Sequence, residues 1–333
     1  MANTVDLSRI TYTVKAILND GSSVMLQGVA ENIAWEENEK ELSVRLNLTL
    51  RDVPCNGKRL SQVLPLCTVV YLYANWGEGE KEIFRGTVWE WQHSQIAEDQ
   101  IILTCYDMLY YLQKSADNKY YAKGKGTKAI ISDILNSWSV KLGTYTGPDV
   151  VHEKILYKNK SVSAMLMETL EDAEDKGGAA SVLVAEKGCV NVLEEGKNDD
   201  IYSFSADTNL IQVSDKYSMV DLITRVVIVG KDDKQGRPKV ETTIDGKTEY
   251  GILQSIQSVG SGTLNEAKTA AKKTLKLKGE PARTITLQSP DFPLIRKGNR
   301  IYVKAGNLSG FFIVKGISHN ATSMTMQMEV KPA

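Results

Sequence analysis

Period-two alternation of apolar and polar positions dominates the first hundred residues. Ile10, Tyr12, Val14, Ala16 and Leu18 alternate with mostly polar neighbours, and Leu42, Val44, Leu46, Leu48 and Leu50 alternate with Ser43, Arg45, Asn47 and Thr49. Such alternation predicts half-buried strands. Further strands fit 69–73 (VVYLY), 83–91 (IFRGTVWEW) and 100–106 (QIILTCY), and the turn-rich NWGEGEK suits a hairpin connection. An all-β unit is expected over 1–112.

The period then changes. In GTKAIISDILNSWSVKLG, Ile130, Ile131, Ile134, Leu135 and Trp138 recur at helical spacing, with Gly143 placed to end the helix. SVSAMLMETLEDAEDKGG predicts a second helix, with Val162, Leu166, Leu170 and Ala173 on one face and Gly177 at its exit. ASVLVAEKGCVNVLEEG reads as a hairpin turning at Lys187 and Gly188. Residues 113–204 are therefore expected to form a small α/β module.

From 205 onward the β pattern returns, ending in a strand that places Met324, Met326, Met328 and Val330 on one face. One helix interrupts it at about 264–278, opened by Thr263 three residues before Glu266 and followed by Gly279. The order of strands also resembles that of the first unit. IFRGTVWEW at 83–91 and FFIVKGISH at 311–319 follow similar lead-ins, and 32–52 resembles 210–232. The expected fold is α+β, mainly β: two tube-like β-barrels, at 1–112 and 205–333, with the α/β module between them.

At 333 residues the chain is long for a single core. Forty basic against forty-one acidic side chains leave no global field for nucleic acid or an anionic membrane. Cys55, Cys67, Cys105 and Cys189 are widely spaced, and Cys67 and Cys105 sit in apolar runs, as reduced packing thiols do. The first ten residues have neither the basic start nor the apolar run of a secretion signal, and no run is long enough to span a bilayer.

Catalytic signatures do not assemble. His93, His152 and His319 are far apart in sequence, with no metal-ligand spacing, and His93 and His319 end strands, a position usual for surface or rim residues. AKGKGTKA at 122–129 lacks the spacing of a phosphate loop and reads as a flexible basic linker. The carboxylates of ETLEDAEDKGG suit a solvated helix face. Lys268, Lys272, Lys273, Lys276 and Lys278 make the third helix basic, while Leu264, Ala267, Ala271 and Leu275 give it an apolar side. Without bulky aromatic anchors it is expected to pack by that small face rather than to lie on a membrane. Its lysines also suit an acidic protein partner.

IFRGTVWEW followed by IILTCYDMLYYLQKS, then GKGTKAIISDILNSW, SVSAMLMETLEDAEDKGG and RKGNRIYVKAGNLSGFFIVKGISHNAT together resemble the hub protein of contractile phage tails and phage-like bacteriocins, the PBSX-prophage hub family related to late control protein D. The resemblance covers most of the chain and implies a non-enzymatic, homotrimeric adaptor. Three chains with two tube-like domains each would offer six similar positions, joining a hexameric tail tube to a trimeric central spike. It implies no cofactor and no metal. Partners would be the tube protein, the spike and other baseplate proteins, with DNA or tape-measure protein passing the lumen unbound, and no membrane. Assembly in the bacterial cytoplasm and a later place in an extracellular particle, virion or bacteriocin, follow from the same resemblance. Trp89, Trp91, Lys268, Lys272 and Lys276 are the candidate interface residues, although the two tryptophans share a strand face and equally suit a core. The alternatives are a peptidoglycan hydrolase using the carboxylates of the middle module, and a wall-binding module presenting Trp76 and Trp138.

Overall fold

The computed structural model describes residues 7–333 apart from 19, 40, 56, 95–98, 233–235 and 261. Among them strands hold 49% and helices 18%, an α+β chain that is mainly β. Two compact units divide the chain: 1–213 with 286–333, and 214–285.

The first unit is built on one sheet. Its strands run in the order Thr325–Pro332, Leu308–Asn320, Ala30–Glu37, Arg45–Arg51, Gln100–Asp107, Lys81–Ser94, Val69–Asn75, Thr11–Ile17 and Ser23–Met25, each antiparallel to the next. Alternation decides which face is buried: Leu46, Leu48 and Leu50 join Val14, Trp35, Val70, Leu72, Phe84 and Leu103 in one core. Each fully buried leucine contributes roughly 1.5–3 kcal/mol. Leu60 and Leu64, from and just after the short helix Leu60–Val63, also enter that core.

The repeated sequence is a repeated hairpin. Val69–Asn75 pairs with Lys81–Ser94, and Arg300–Ala305 pairs with Leu308–Asn320, both antiparallel. Its extension to 210–232 does not hold, because Ala30–Glu37 pairs with Arg45–Arg51 whereas Gln212–Ser218 lies beside Ala282–Pro290 and Arg225–Asp232 enters another sheet. Nor do the described strands close two barrels. Residues 34–37 bond to 317–320, so both ends of the chain share one open sheet.

The α/β segment packs Leu109–Lys114, Thr127–Ser137 and Val162–Asp175 around Ile130, Ile134, Leu135, Met165, Leu166 and Leu170. Ser161 caps the last of these helices, accepting from the Ala164 amide at 3.2 Å. The helix after Gly126 ends at Ser137, earlier than Gly143, because Ser139 takes a left-handed backbone (φ 55°). Gly143 instead lies in the strand Leu142–Tyr145, where a β-carbon would sit 2.2 Å from Asn191 Oδ1. The hairpin of Ser181–Glu186 and Cys189–Glu194 turns as expected at Lys187 (φ 49°) and Gly188 (φ 75°). The 122–129 stretch is no loose linker: Gly124 and Thr127 donate to the carbonyls of His152 and Val150, and Gly126 bridges to Val151.

In the second unit Arg225–Asp232 is the central strand, antiparallel to Pro238–Asp245 and parallel to Gln254–Ser258. The helix Leu264–Lys278 lays Ala267 and Ala271 on Val226 and Ile228, so its small face is the packing face. Thr263 and Glu266 form the expected capping box. Met324 departs from the expected stripe, turning with φ 53° ahead of Thr325–Pro332, while Met326, Met328 and Val330 are buried.

Candidate functional site

Where the two ends of the sheet meet, the core becomes polar. His319 is 2% exposed, contrary to a rim position, and stands opposite Trp35 in the register between Leu308–Asn320 and Ala30–Glu37. Its Nδ1 lies 2.6 Å from Asp291 Oδ1 and its Nε2 3.2 Å from the Ile295 carbonyl. Tyr12 donates its hydroxyl to the other oxygen of Asp291, and burial beside that carboxylate drives the phenol well above its ordinary pKa. Both ring nitrogens therefore have an oxygen within hydrogen-bond distance, which fixes the orientation of the imidazole.

Two residues beyond Trp35, Glu37 takes the Arg296 guanidinium at 2.5 Å. Burial opposes the Arg296 charge, and the neighbouring Glu37 and Asp107 more than offset it. Asp107 accepts from the amides of Val44 (3.0 Å) and Leu109 (2.9 Å), yet complete burial pushes its carboxyl up to about 7. Lys297, lowered by burial, donates to the carbonyls of Asn38 and Glu41 at 3.1 and 2.9 Å. A one-residue shift near Lys315 and the absence of a side chain at Gly316 let the two backbones approach here; a β-carbon on Gly316 would lie 3.1 Å from the Glu37 carbonyl. Ion pairs thus cross the seam that sequence reasoning assigned to two separate domains.

The other histidines are also occupied. His152 bonds Thr127 Oγ1 at 2.8 Å and Asp172 at 2.6 Å, a hydroxyl–imidazole–carboxylate chain, but Thr127 is fully buried and its hydroxyl also meets the Val150 backbone. No substrate reaches such a hydroxyl. Burial pushes Asp172 up, but Lys176 and His152 outweigh it and hold its carboxyl below the usual range. His93, Asp52 and Asp99 bring ligand atoms within 4.8 Å of one another, the spacing a metal needs. Arg59 contacts both carboxylates and already supplies the positive charge, and Ser61 donates twice to Asp52. That donor set fits an arginine-centred cluster better than a cation.

Trp89 and Trp91 lie on Lys81–Ser94, which is not one of the two strands that meet at this seam. The register slips between Val88 and Glu90, leaving Trp89 as the extra residue of a bulge. Its ring edges meet Tyr110 and Tyr111 at 4.7 and 4.8 Å, and its buried Nε1 has no hydrogen-bond partner among the described residues. Trp91 is 39% exposed. Lys272 and Lys276 are exposed and Lys268 half-buried on their helix. Trp76, expected as an exposed aromatic, is buried edge-on to Phe292 with the Lys81 ammonium 4.6 Å from its ring, whereas Trp138 is exposed. Among the cysteines, Cys105 is buried but Cys67 is exposed at a left-handed turn (φ 66°).

A cleft of about 610 Å³ borders Val162–Asp175 and was not foreseen. Glu41, Glu168, Glu171 and Glu174 line it, with Met167, 43% exposed, between them. Lys315 and Lys331 at its wall are tied to Glu39 and Glu195, and Lys160 is tied to Glu168. With Lys297 as the third lining lysine, six carboxylates still face three ammonium groups, an acidic excess.

No curated protein matches the chain in sequence. A family model described as YQBQ-like matches residues 69–331. In fold the chain is similar to a tail protein from Neisseria meningitidis MC58 (13% identity, TM-score 0.67, 96% of each chain covered). It is similar also to the 43 kDa tail protein of prophage MuSo2 from Shewanella oneidensis (12% identity, TM-score 0.67, 96% of this chain and 98% of that one). A type VI secretion component from E. coli, itself described as structurally similar to the T4 tail proteins gp27 and gp5, aligns with a TM-score of 0.53 at 10% identity over 92% of this chain and 76% of that one.

Proposed function

This chain belongs to the YQBQ-like family, and from that premise we propose that it is the baseplate hub of a contractile, tail-like injection particle. In this reading it is a homotrimeric, non-enzymatic adaptor between the hexameric tail tube and the trimeric central spike. Its two β-rich segments, 1–112 and 205–333, supply two related contributions per chain, and 113–204 is the module between them. The likeness to two tail proteins along 96% of the chain carries the proposal. It is supported by chemistry at the histidines: the three are bonded inside the protein rather than directed into an open site.

A hub meets other proteins through exposed apolar side chains on a rigid frame. Trp91 beside the Trp89 bulge is such a position. Among the described residues no helix is long and apolar enough to cross a membrane. The test is co-purification with the central spike protein of the same particle, with mass measured by light scattering. A complex of three chains with one spike trimer supports the adaptor; a chain that ignores both spike and tube protein overturns it.

A further inference from the structure

The acidic cleft and the basic helix are complementary, and they belong to different units of the same chain. On Val162–Asp175 the outward residues Met167, Glu171 and Glu174 stand opposite the packing residues Leu166 and Ala173, as three- and four-residue spacing requires. On Leu264–Lys278 the mirror arrangement appears: Lys272 and Lys276, four apart, lie away from Ala267 and Ala271, with Leu277 68% exposed nearby. Each surface therefore offers a charged row with one large apolar side chain beside it. Glu174, Lys272 and Lys276 have no ion-pair partner among the described residues.

We propose that the cleft beside Val162–Asp175 receives the Leu264–Lys278 helix of a second copy of this chain. The contact joins two different patches, so it is head-to-tail, and repeating it generates a ring when the rotation closes. It rests on the reading that the chain assembles with itself, and it names the surfaces that do so. The lysine ammonium groups meet the carboxylates of Glu171 and Glu174, while Leu277 covers Met167. The charges select the partner and its register, and the apolar pair adds burial.

Light scattering over a concentration series tests the contact with four proteins: wild type, K272E/K276E, E171K/E174K, and the chain carrying all four changes. Each two-site reversal is expected to weaken self-association by at least about tenfold, and the four-site chain to regain it. In a mixture of the two reversed variants both contacts between unlike chains are matched, so alternating assemblies are restored, but a ring of three always leaves one like-with-like contact and does not close. L277D, at a largely exposed position, is expected to weaken association as well. Circular dichroism and melting temperature verify that each variant is folded. A wild-type oligomer that survives both reversals and L277D overturns the contact while leaving the hub reading intact. A wild type that is monomeric yet binds the spike also overturns the contact alone; a monomer that binds neither spike nor tube overturns both.

Discussion

Trp35 and His319 face each other across the seam between the N- and C-terminal parts of the sheet, their rings 4.4 Å apart and 4° from parallel. The stack places an imidazole with both nitrogens hydrogen-bonded against the largest aromatic surface of the core, and it ties residue 35 to residue 319. Closing so long a loop is entropically costly, so the contacts at the seam must be well satisfied.

Breaking that seam is expected to be expensive. H319L leaves Asp291 buried with only Tyr12 as partner, and a loss of about 3–5 kcal/mol is expected. W35A removes the stack and leaves a cavity, with a similar loss of about 3–5 kcal/mol. Urea unfolding measures both. A change below about 1 kcal/mol in either variant would mean that the two ends of the sheet hold together without this stack.

Asp107 predicts an unusual dependence on pH. Its carboxyl is raised in the folded protein, to about 7, against about 3.9 when unfolded, so the folded state holds a proton that the unfolded state has lost. Its contribution is therefore fully present below about pH 4 and is lost as pH rises through 7, opposite to the usual effect of a paired carboxylate. D107N forfeits one of the two amide bonds but cannot ionise. Unfolding midpoints at pH 5 and pH 8 should fall more steeply for wild type than for D107N; parallel slopes would show that Asp107 stays ionised beside Arg296.

Glu37 and Arg296 form the buried ion pair of the seam. R296M alone strands Glu37 and is expected to cost about 3–5 kcal/mol, whereas E37L/R296M removes both charges and should recover most of that loss. A double variant no more stable than R296M would place the stabilisation in the wider network with Asp107.

Trp91 separates assembly from stability. Because it is exposed, W91A should change the unfolding free energy by less than about 0.5 kcal/mol, yet weaken spike or tube binding if it lies in the contact. W89A should destabilise measurably, through its contacts with Tyr110 and Tyr111. Equal binding by W91A and wild type would remove this surface from the interface.

The hydrolase alternative is decided by release of soluble fragments from purified peptidoglycan. None is expected from wild type. If fragments do appear, E168Q and E171Q would show whether the cleft carboxylates act, and loss of release in either would replace the adaptor reading by an enzymatic one.

Strands with one buried face, the two long helices of the middle module and the capped basic helix were all legible in the sequence, because each rests on contacts within a few residues: period two, period 3.6, or a cap three positions away. The Lys187–Gly188 turn was legible for the same reason. The end of Thr127–Ser137 was not, since Ser139 rather than a glycine takes the left-handed conformation. The bulge at Trp89 likewise leaves no mark in its own strand, because it is defined by what Gln100–Asp107 presents opposite.

The sequence by itself determined the mainly-β class, the order of the elements and the capped start of the 264–278 helix. Only the tertiary structure decided that Ala30–Glu37 pairs with Leu308–Asn320 and so makes one open sheet of both ends. It alone brought Glu37 to Arg296, and His319 to Asp291 and Tyr12, and opened a cleft between Glu41 and Glu171. The physical reason is range: periodicity reports which face of an element is apolar, whereas pairing partners and buried charges are chosen among all faces at once, by hydrogen bonds and ion pairs between residues hundreds of positions apart.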